Sequence, residues 1–194
     1  TDQRPGRRRE GALAGQRGDL KGGLAAYNKG LPVLSAVLGD GHPELLSAQT
    51  QSAELQRQTG AFAAAKKRLE NVLEFVGKTI DGQDPVVFSA KGYLAKIHEE
   101  QGRFAEAETL VRAVLQYERE TLGKEHPNAL TTLNDLAGIL RQRGQLAEAE
   151  TYYREALAGF KKVLGEQHQA SVNVMNNLGV VLEGEGLFDE AEPF

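Results

Sequence analysis

Apolar residues recur along this chain at spacings of three and four. In the clearest stretch Leu130, Leu133, Leu136, Ala137 and Leu140 form one stripe, and Leu146, Ala149, Tyr153, Ala156, Leu157, Phe160 and Leu164 form a second. That spacing predicts two amphipathic helices. Between them Arg141, Gln142 and Arg143 lead into Gly144, which puts cations in a last helical turn and glycine just past it, the expected stop. No segment sustains an alternation of period two, so no strands are predicted.

The same pattern returns every 42 residues. His42-Pro43, Asp84-Pro85 and His126-Pro127 open three copies, and His168 stands one period further on. Eighteen residues after each comes Gly60, Gly102, Gly144 or Gly186, with Gly18 one period earlier. Comparing 84–125 with 126–167 without a gap gives 14 identities in 42 positions, where chance gives roughly one in fifteen. Proline suits the first helical position, because its missing N–H would have no intrahelical partner there. Asp84 reads as a good N-cap, His42 and His126 as weaker ones. Gly39, Gly123 and Gly165 mark the turns between copies, and Ile80-Asp81-Gly82 does the same job in the remaining register. One column holds only small residues (Gly23, Ala65, Ala107, Ala149 and Ala191), and another reads Gly30, Val72, Val114 and Ala156. Two helices must approach closely at such columns. A helix pair of this kind cannot bury its apolar stripe alone and must stack on its neighbours into a solenoid with a concave inner surface.

These residues resemble the tetratricopeptide repeat in its 42-residue form. The stretches HPNALTTLNDLAGILRQRGQLAEAETYYREAL and HQASVNVMNNLGVVLEGEGLFDEAEPF are similar to the repeats of kinesin light chains and their bacterial and fungal relatives. The resemblance implies an all-α right-handed superhelix of antiparallel helix pairs. Its organisation is a partial repeat at 18–41, repeats at 42–83, 84–125 and 126–167, and a truncated repeat at 168–194. Residues 1–17 depart from the pattern, with glycines at 6, 11 and 15 and an arginine cluster, and are expected to be degenerate or frayed. The last helix stops after about two turns where its counterparts continue, so the chain is expected to be a segment of a longer protein.

Composition narrows the function classes. The 22 glycines, more than one residue in ten, are about half accounted for by the turns and packing columns. There is no cysteine, which excludes a disulfide scaffold, a thiolate zinc site and a cysteine nucleophile. It is compatible with a reducing compartment, and a cytoplasmic location is expected. A net charge of −4 argues against nucleic acid as a partner. No apolar run approaches the ~20 residues of a membrane span, and no membrane association is expected. Arg4, Arg7, Arg8 and Arg9 read as a solvated tail or linker.

Candidate chemistry is sparse. His42, His126 and His168 occupy one register and so form a row roughly 10 Å apart, too far to converge on a metal; His98 lies out of series. The pairs Glu106/Glu108, Glu148/Glu150 and Glu190/Glu192 also follow the period. They fall near the starts of second helices, where the macrodipole favours negative charge, and are expected to be solvated supports. There is no phosphate loop or nucleophile arrangement. No enzyme, cofactor or metal is expected.

Binding is better supported. In the resembled family the first helix of each pair lines the concave groove. By that register the groove carries Ser47, Thr50, Gln51, Glu54 and Arg57, then Ser89, Gly92, Tyr93, Lys96 and Glu99. Thr131, Asn134, Asp135, Gly138 and Arg141 follow, then Asn173, Asn176, Asn177, Val180 and Glu183. An asparagine amide both donates and accepts, which suits an extended peptide backbone. In related repeats an asparagine at this place contacts bound peptides, so the resemblance implies that role for Asn134 and Asn176, with Asn177 beside them. Arg141 and Lys96 suit an acidic partner residue, and Tyr93 offers amphipathic contact area. Kinesin light chains hold acidic peptides in a basic groove; here Glu54, Glu99, Glu100, Asp135 and Glu183 balance Arg57, Lys96 and Arg141, so that preference is not carried over. The expected function is a non-enzymatic module binding a peptide or partner domain. The alternatives are a spacer that self-associates through its unfinished last helix, or a sensor array for an enzymatic domain elsewhere in the parent chain.

Overall fold

The computed structural model describes residues 19–79, 84–184, 186, 187 and 191. Among these residues there are eight α-helices and no strand. They are α1 (Leu20–Leu38), α2 (Pro43–Gln58), α3 (Phe62–Thr79), α4 (Pro85–Glu100), α5 (Phe104–Thr121), α6 (Pro127–Gln142), α7 (Leu146–Leu164) and α8 (Gln169–Gly184). First helices of the repeats are α2, α4, α6 and α8; the others are second helices. The expectations for residues 1–17, for the turn at Ile80-Asp81-Gly82, and for Glu190 and Glu192 lie outside the described residues.

Each first helix opens as the period predicts, and the histidines cap more actively than expected. Nδ1 of His42, His126 and His168 accepts the backbone N–H two residues on, at 3.2, 3.2 and 3.1 Å. Asp84 Oδ1 does the same for Val86 at 2.8 Å. Each first helix then closes by one hydrogen-bond pattern. Gly144 N–H donates to Arg141 C=O at 3.0 Å, and Gln145 N–H reaches back to Leu140 C=O at 2.9 Å. This is the Schellman motif, which satisfies two otherwise orphaned carbonyls. It needs a left-handed residue, and Gly144 has φ 75°. The same pair of bonds recurs at Gly60/Ala61, Gly102/Arg103 and Gly186/Leu187. Between repeats Gly39, Gly123 and Gly165 also have positive φ.

The described chain divides after Ile97 into two compact units. In the first, α2 packs on α1 and α3. Tyr27, Leu31 and Leu34 of α1 bury against Leu45, Ala48 and Leu55 of α2, while α1 runs through the exposed Pro32. In the second, α6 packs on α5, α7 and α8, and Leu130, Leu133, Leu136, Ile139 and Leu140 are almost wholly buried. The small-residue column is buried at every copy, including Gly23, Ala65, Ala107 and Ala149. Gly159 shows how tight the α6–α7 approach is: a Cβ there would lie 2.4 Å from Leu130 Cδ2.

Candidate functional site

In the first unit the less buried face of α2 and α4 encloses a cleft of about 280 Å³. Its walls are Pro43, Ser47, Thr50 and Gln51 from α2, and Asp84, Pro85, Val86, Ser89 and Tyr93 from α4 and its cap. Five of the residues that the repeat register assigns to the groove therefore meet at one place. Most of their hydrogen-bonding capacity is already directed. Thr50 Oγ1 donates to Leu46 C=O at 2.9 Å, Ser89 Oγ to Pro85 C=O at 3.1 Å. Gln51 Oε1 accepts the buried Tyr27 hydroxyl at 2.6 Å.

One turn further along α2, Arg57 makes a two-pronged pair with Glu54, both bonds at 2.8 Å, and Gln58 adds a third at 2.7 Å. Burial pushes the Glu54 carboxyl up. The Arg57 and Gln58 hydrogen bonds, with the charges of Arg57 and Lys96, more than offset this and hold it below the usual carboxylate range. Burial raises the Tyr93 phenol, the Glu54 charge adds to the rise, and Arg57 opposes it. The Lys96 ammonium lies 6.0 Å from the centroid of the Tyr93 ring.

In the second unit the accessible face of α6 carries Thr131, Asn134, Asp135, Gly138 and Arg141. Asn177 of α8 donates Nδ2 to Asn134 Oδ1 at 3.0 Å, and Asn134 Nδ2 faces Asp135 Oδ1 at 3.4 Å. Asn176 is exposed and takes no part in this pair. Tyr153 of α7 is buried, and Arg141 donates a hydrogen bond to its hydroxyl. Gly138 of α6 lies beside that hydroxyl, and a Cβ there would sit 3.4 Å from it. Burial raises the Tyr153 phenol; Arg141 works against the rise, while Asp135 and Glu99 add to it. The six singled-out residues fall in both units. Tyr93 and Lys96 meet in the first unit; in the second Asn177 bonds Asn134, Arg141 bonds Tyr153, and Asn176 is exposed.

Of the paired glutamates, Glu108, Glu148 and Glu150 are ion-paired, whereas Glu106 is exposed as expected. Arg112 binds Glu108 at 2.9 Å and Glu148 at 2.8 Å, donates to the Tyr152 hydroxyl at 3.3 Å, and lies 6.0 Å over that ring. Arg143 also binds Glu108. Arg119 pairs with Glu155 at 2.8 Å, Lys162 with Glu125 at 2.6 Å. Glu108 meets Arg112 four residues on along its own helix, while Glu148 and Glu155 are reached from the neighbouring second helix, because α5 and α7 lie within one long side chain of each other. Tyr152 and Glu118 were not singled out by sequence. Burial raises the Glu118 carboxyl, and Asp135 adds to this; a Thr132 hydrogen bond and His126 act the other way. No group of His, Cys, Asp or Glu among the described residues is arranged to hold a metal ion. None of the described helices is long and apolar enough to cross a membrane.

Helix pairs of this length, joined by glycine turns and packed through an alanine column, define an all-α repeat protein. The family model of the tetratricopeptide repeat matches residues 86–162 and 131–194, and a second model of that repeat matches 50–121. The chain belongs to the tetratricopeptide repeat family, and its fold class is that of the tetratricopeptide solenoid. In fold, its repeats are similar to those of a kinesin light chain-like protein. A kinesin light chain-like protein of nearly identical TPR-like repeats from Podosopora anserina superposes with a TM-score of 0.83 at 23% identity, over 97% of this chain and 90% of that one. BtubC (BKLC) from P. vanneervenii gives 0.69 at 26% identity, over 86% of this chain and 66% of that one. A Rap protein complexed with competence and sporulation factor gives 0.73 at 16%, over 94% and 49%. No curated protein sequence matches the chain.

Proposed function

We propose that this chain is a non-enzymatic interaction module that holds an extended peptide or partner segment on the accessible faces of its first helices. The observation that carries the reading is the α2–α4 cleft, where Ser47, Thr50, Gln51, Ser89 and Tyr93 converge. Polar side chains gathered on a concave surface beside a half-buried tyrosine suit a partner with both backbone groups and apolar bulk. In the second unit Asn177 holds the carbonyl of Asn134, which leaves the Asn134 amide, only loosely directed at Asp135, to donate to a peptide carbonyl. Asn176 offers both functions to solvent. Arg141, braced by Tyr153, supplies a positioned cation, and Lys96 a mobile one. The Rap neighbour, solved with competence and sporulation factor bound, supports ligand holding as a use of this fold.

Selection from a random peptide display library, followed by titration of the selected peptides by calorimetry, tests the reading. Tyr93→Ala, or Asn134→Ala with Asn176→Ala, is expected to weaken binding at least about tenfold, which corresponds to about 1.4 kcal/mol. Unchanged affinity in both variants removes the assignment.

A further inference from the structure

We propose that the α2–α4 cleft is a pocket for a basic side chain, an arginine or lysine of the bound peptide. The inference rests on the peptide-binding reading above and names what that peptide must carry. Three features of the cleft lead to it.

The first is size. At about 280 Å³ the cleft falls just under the ~300–1,000 Å³ of small-molecule sites, so it suits one long side chain rather than a cofactor. The second is charge. Among the nine lining residues Asp84 is the sole ionised group, and none is Lys, Arg or His. Asp84 spends Oδ1 on the Val86 N–H, and its second oxygen has no partner among the described residues. Lys96 does not neutralise it: twelve helical residues separate the two, about 18 Å along the axis. Arg57 is held by Glu54.

The third feature is hydrogen-bond polarity. The hydroxyl hydrogens of Thr50 and Ser89 are committed to helix carbonyls, so neither is left to donate, and the exposed Ser89 oxygen keeps acceptor capacity. With Asp84 Oδ2 this makes an acceptor-rich wall. Gln51 is the exception: its carbonyl is taken by Tyr27, so what it has left to offer is a donor. The Tyr93 ring and the rings of Pro43 and Pro85 give apolar surface for a methylene stem. A guanidinium or ammonium is all donor and positively charged. A carboxylate would meet the full charge of Asp84, against which the N-terminal ends of α2 and α4 set only partial positive charge.

The test is a titration of the full chain, followed by backbone amide NMR, with three blocked amino acids: N-acetyl-arginine N-methylamide, its neutral citrulline isostere and the glutamate counterpart. The arginine probe is expected to shift the amides of Ser47, Ser89 and Tyr93 and to bind at least about fivefold tighter than citrulline. Asp84→Asn keeps an efficient N-cap and is expected to erase that preference. Ser89→Lys, at an exposed helix position, is expected to abolish arginine binding. Equal or tighter binding of citrulline or glutamate, an undiminished preference in Asp84→Asn, or no shift at the cleft overturns the proposal. The two readings fail separately. Library peptides that depend on Tyr93 but show no enrichment of Arg or Lys leave the binding surface standing and remove the basic-side-chain pocket. Arginine binding without any library peptide does the reverse.

Discussion

Asn177 on α8 donates its amide to the carbonyl of Asn134 on α6 at 3.0 Å, across a spacing of 43 residues rather than the 42 of the repeat. This tie between α6 and α8 therefore joins positions one step off the period. Asn177→Ala removes the tie, and a loss of about 0.5–1.5 kcal/mol is expected in urea unfolding, as for an ordinary hydrogen bond. Asn176→Ala, at an exposed site, is expected to change stability by less than about 0.5 kcal/mol. Equal effects of the two would contradict the pairing.

Arg112 joins Glu108, Glu148 and Tyr152 across two second helices. The site is part exposed, so Arg112→Ala is expected to cost only about 1 kcal/mol at low salt, and less in 1 M NaCl. Arg112→Lys should recover less than half of that, because an ammonium cannot bridge as the planar guanidinium does. Denaturant melts at both ionic strengths check both statements.

Two helical glycines should respond to alanine with opposite signs. A Cβ at Gly92 meets nothing within 4 Å, so Gly92→Ala is expected to stabilise by about 0.5–1 kcal/mol through propensity alone. At Gly159 the new methyl would run into Leu130, which is 2% exposed and has little room to yield. There the overpacking cost of about 1–3 kcal/mol outweighs the propensity gain, and the variant should melt lower.

Two carboxylates should leave opposite marks on the pH profile. Glu118 titrates above its unfolded value because burial disfavours its charge. Its favourable contribution is present when protonated and lost as pH rises through the folded value. Glu118→Gln is therefore expected to gain up to about 1 kcal/mol at neutral pH after solvent screening, and nothing in acid. Glu54, held low by Arg57 and Gln58 despite its burial, is the converse. Its stabilisation is present above the unfolded value and disappears as pH falls through the folded one. Glu54→Gln should cost about 1–2 kcal/mol at neutral pH and little once the native carboxyl is protonated. Chemical denaturation from pH 3 to pH 8 reads both.

The helix pairs and their turns were legible because each has a signature contained in a few adjacent residues. Pro after His or Asp starts a helix, Gly144 and its equivalents end one, and only a small residue fits where Ala107 or Ala149 packs. Side-chain partnerships between repeats were not legible. Whether Asn134 meets Asn176 or Asn177 depends on how far one helix is turned against the next, and one residue of offset is 100° of that turn. The glutamate pairs were misjudged for a related reason. Glu108 and Arg112 stand four residues apart on α5, a pair the spacing already offers, but only the distance between α5 and α7 shows that Arg112 also reaches Glu148. The cleft was half legible: register placed Ser47, Gln51 and Tyr93 on one face, but not the Asp84 carboxylate among them.

The Schellman turns have a genetic consequence. At the glycine joint between Leu140 and Gln145 both capping bonds are made inside a single copy, and the other three joints are closed in the same way. A duplication or deletion of 126 nucleotides in frame, one 42-residue unit, would carry an intact joint with it and disturb none of those that remain. The ties that such an event must rewire are those between copies, such as Arg112 with Glu148. Copy number can therefore drift by recombination, with each new junction tuned afterwards by surface charge.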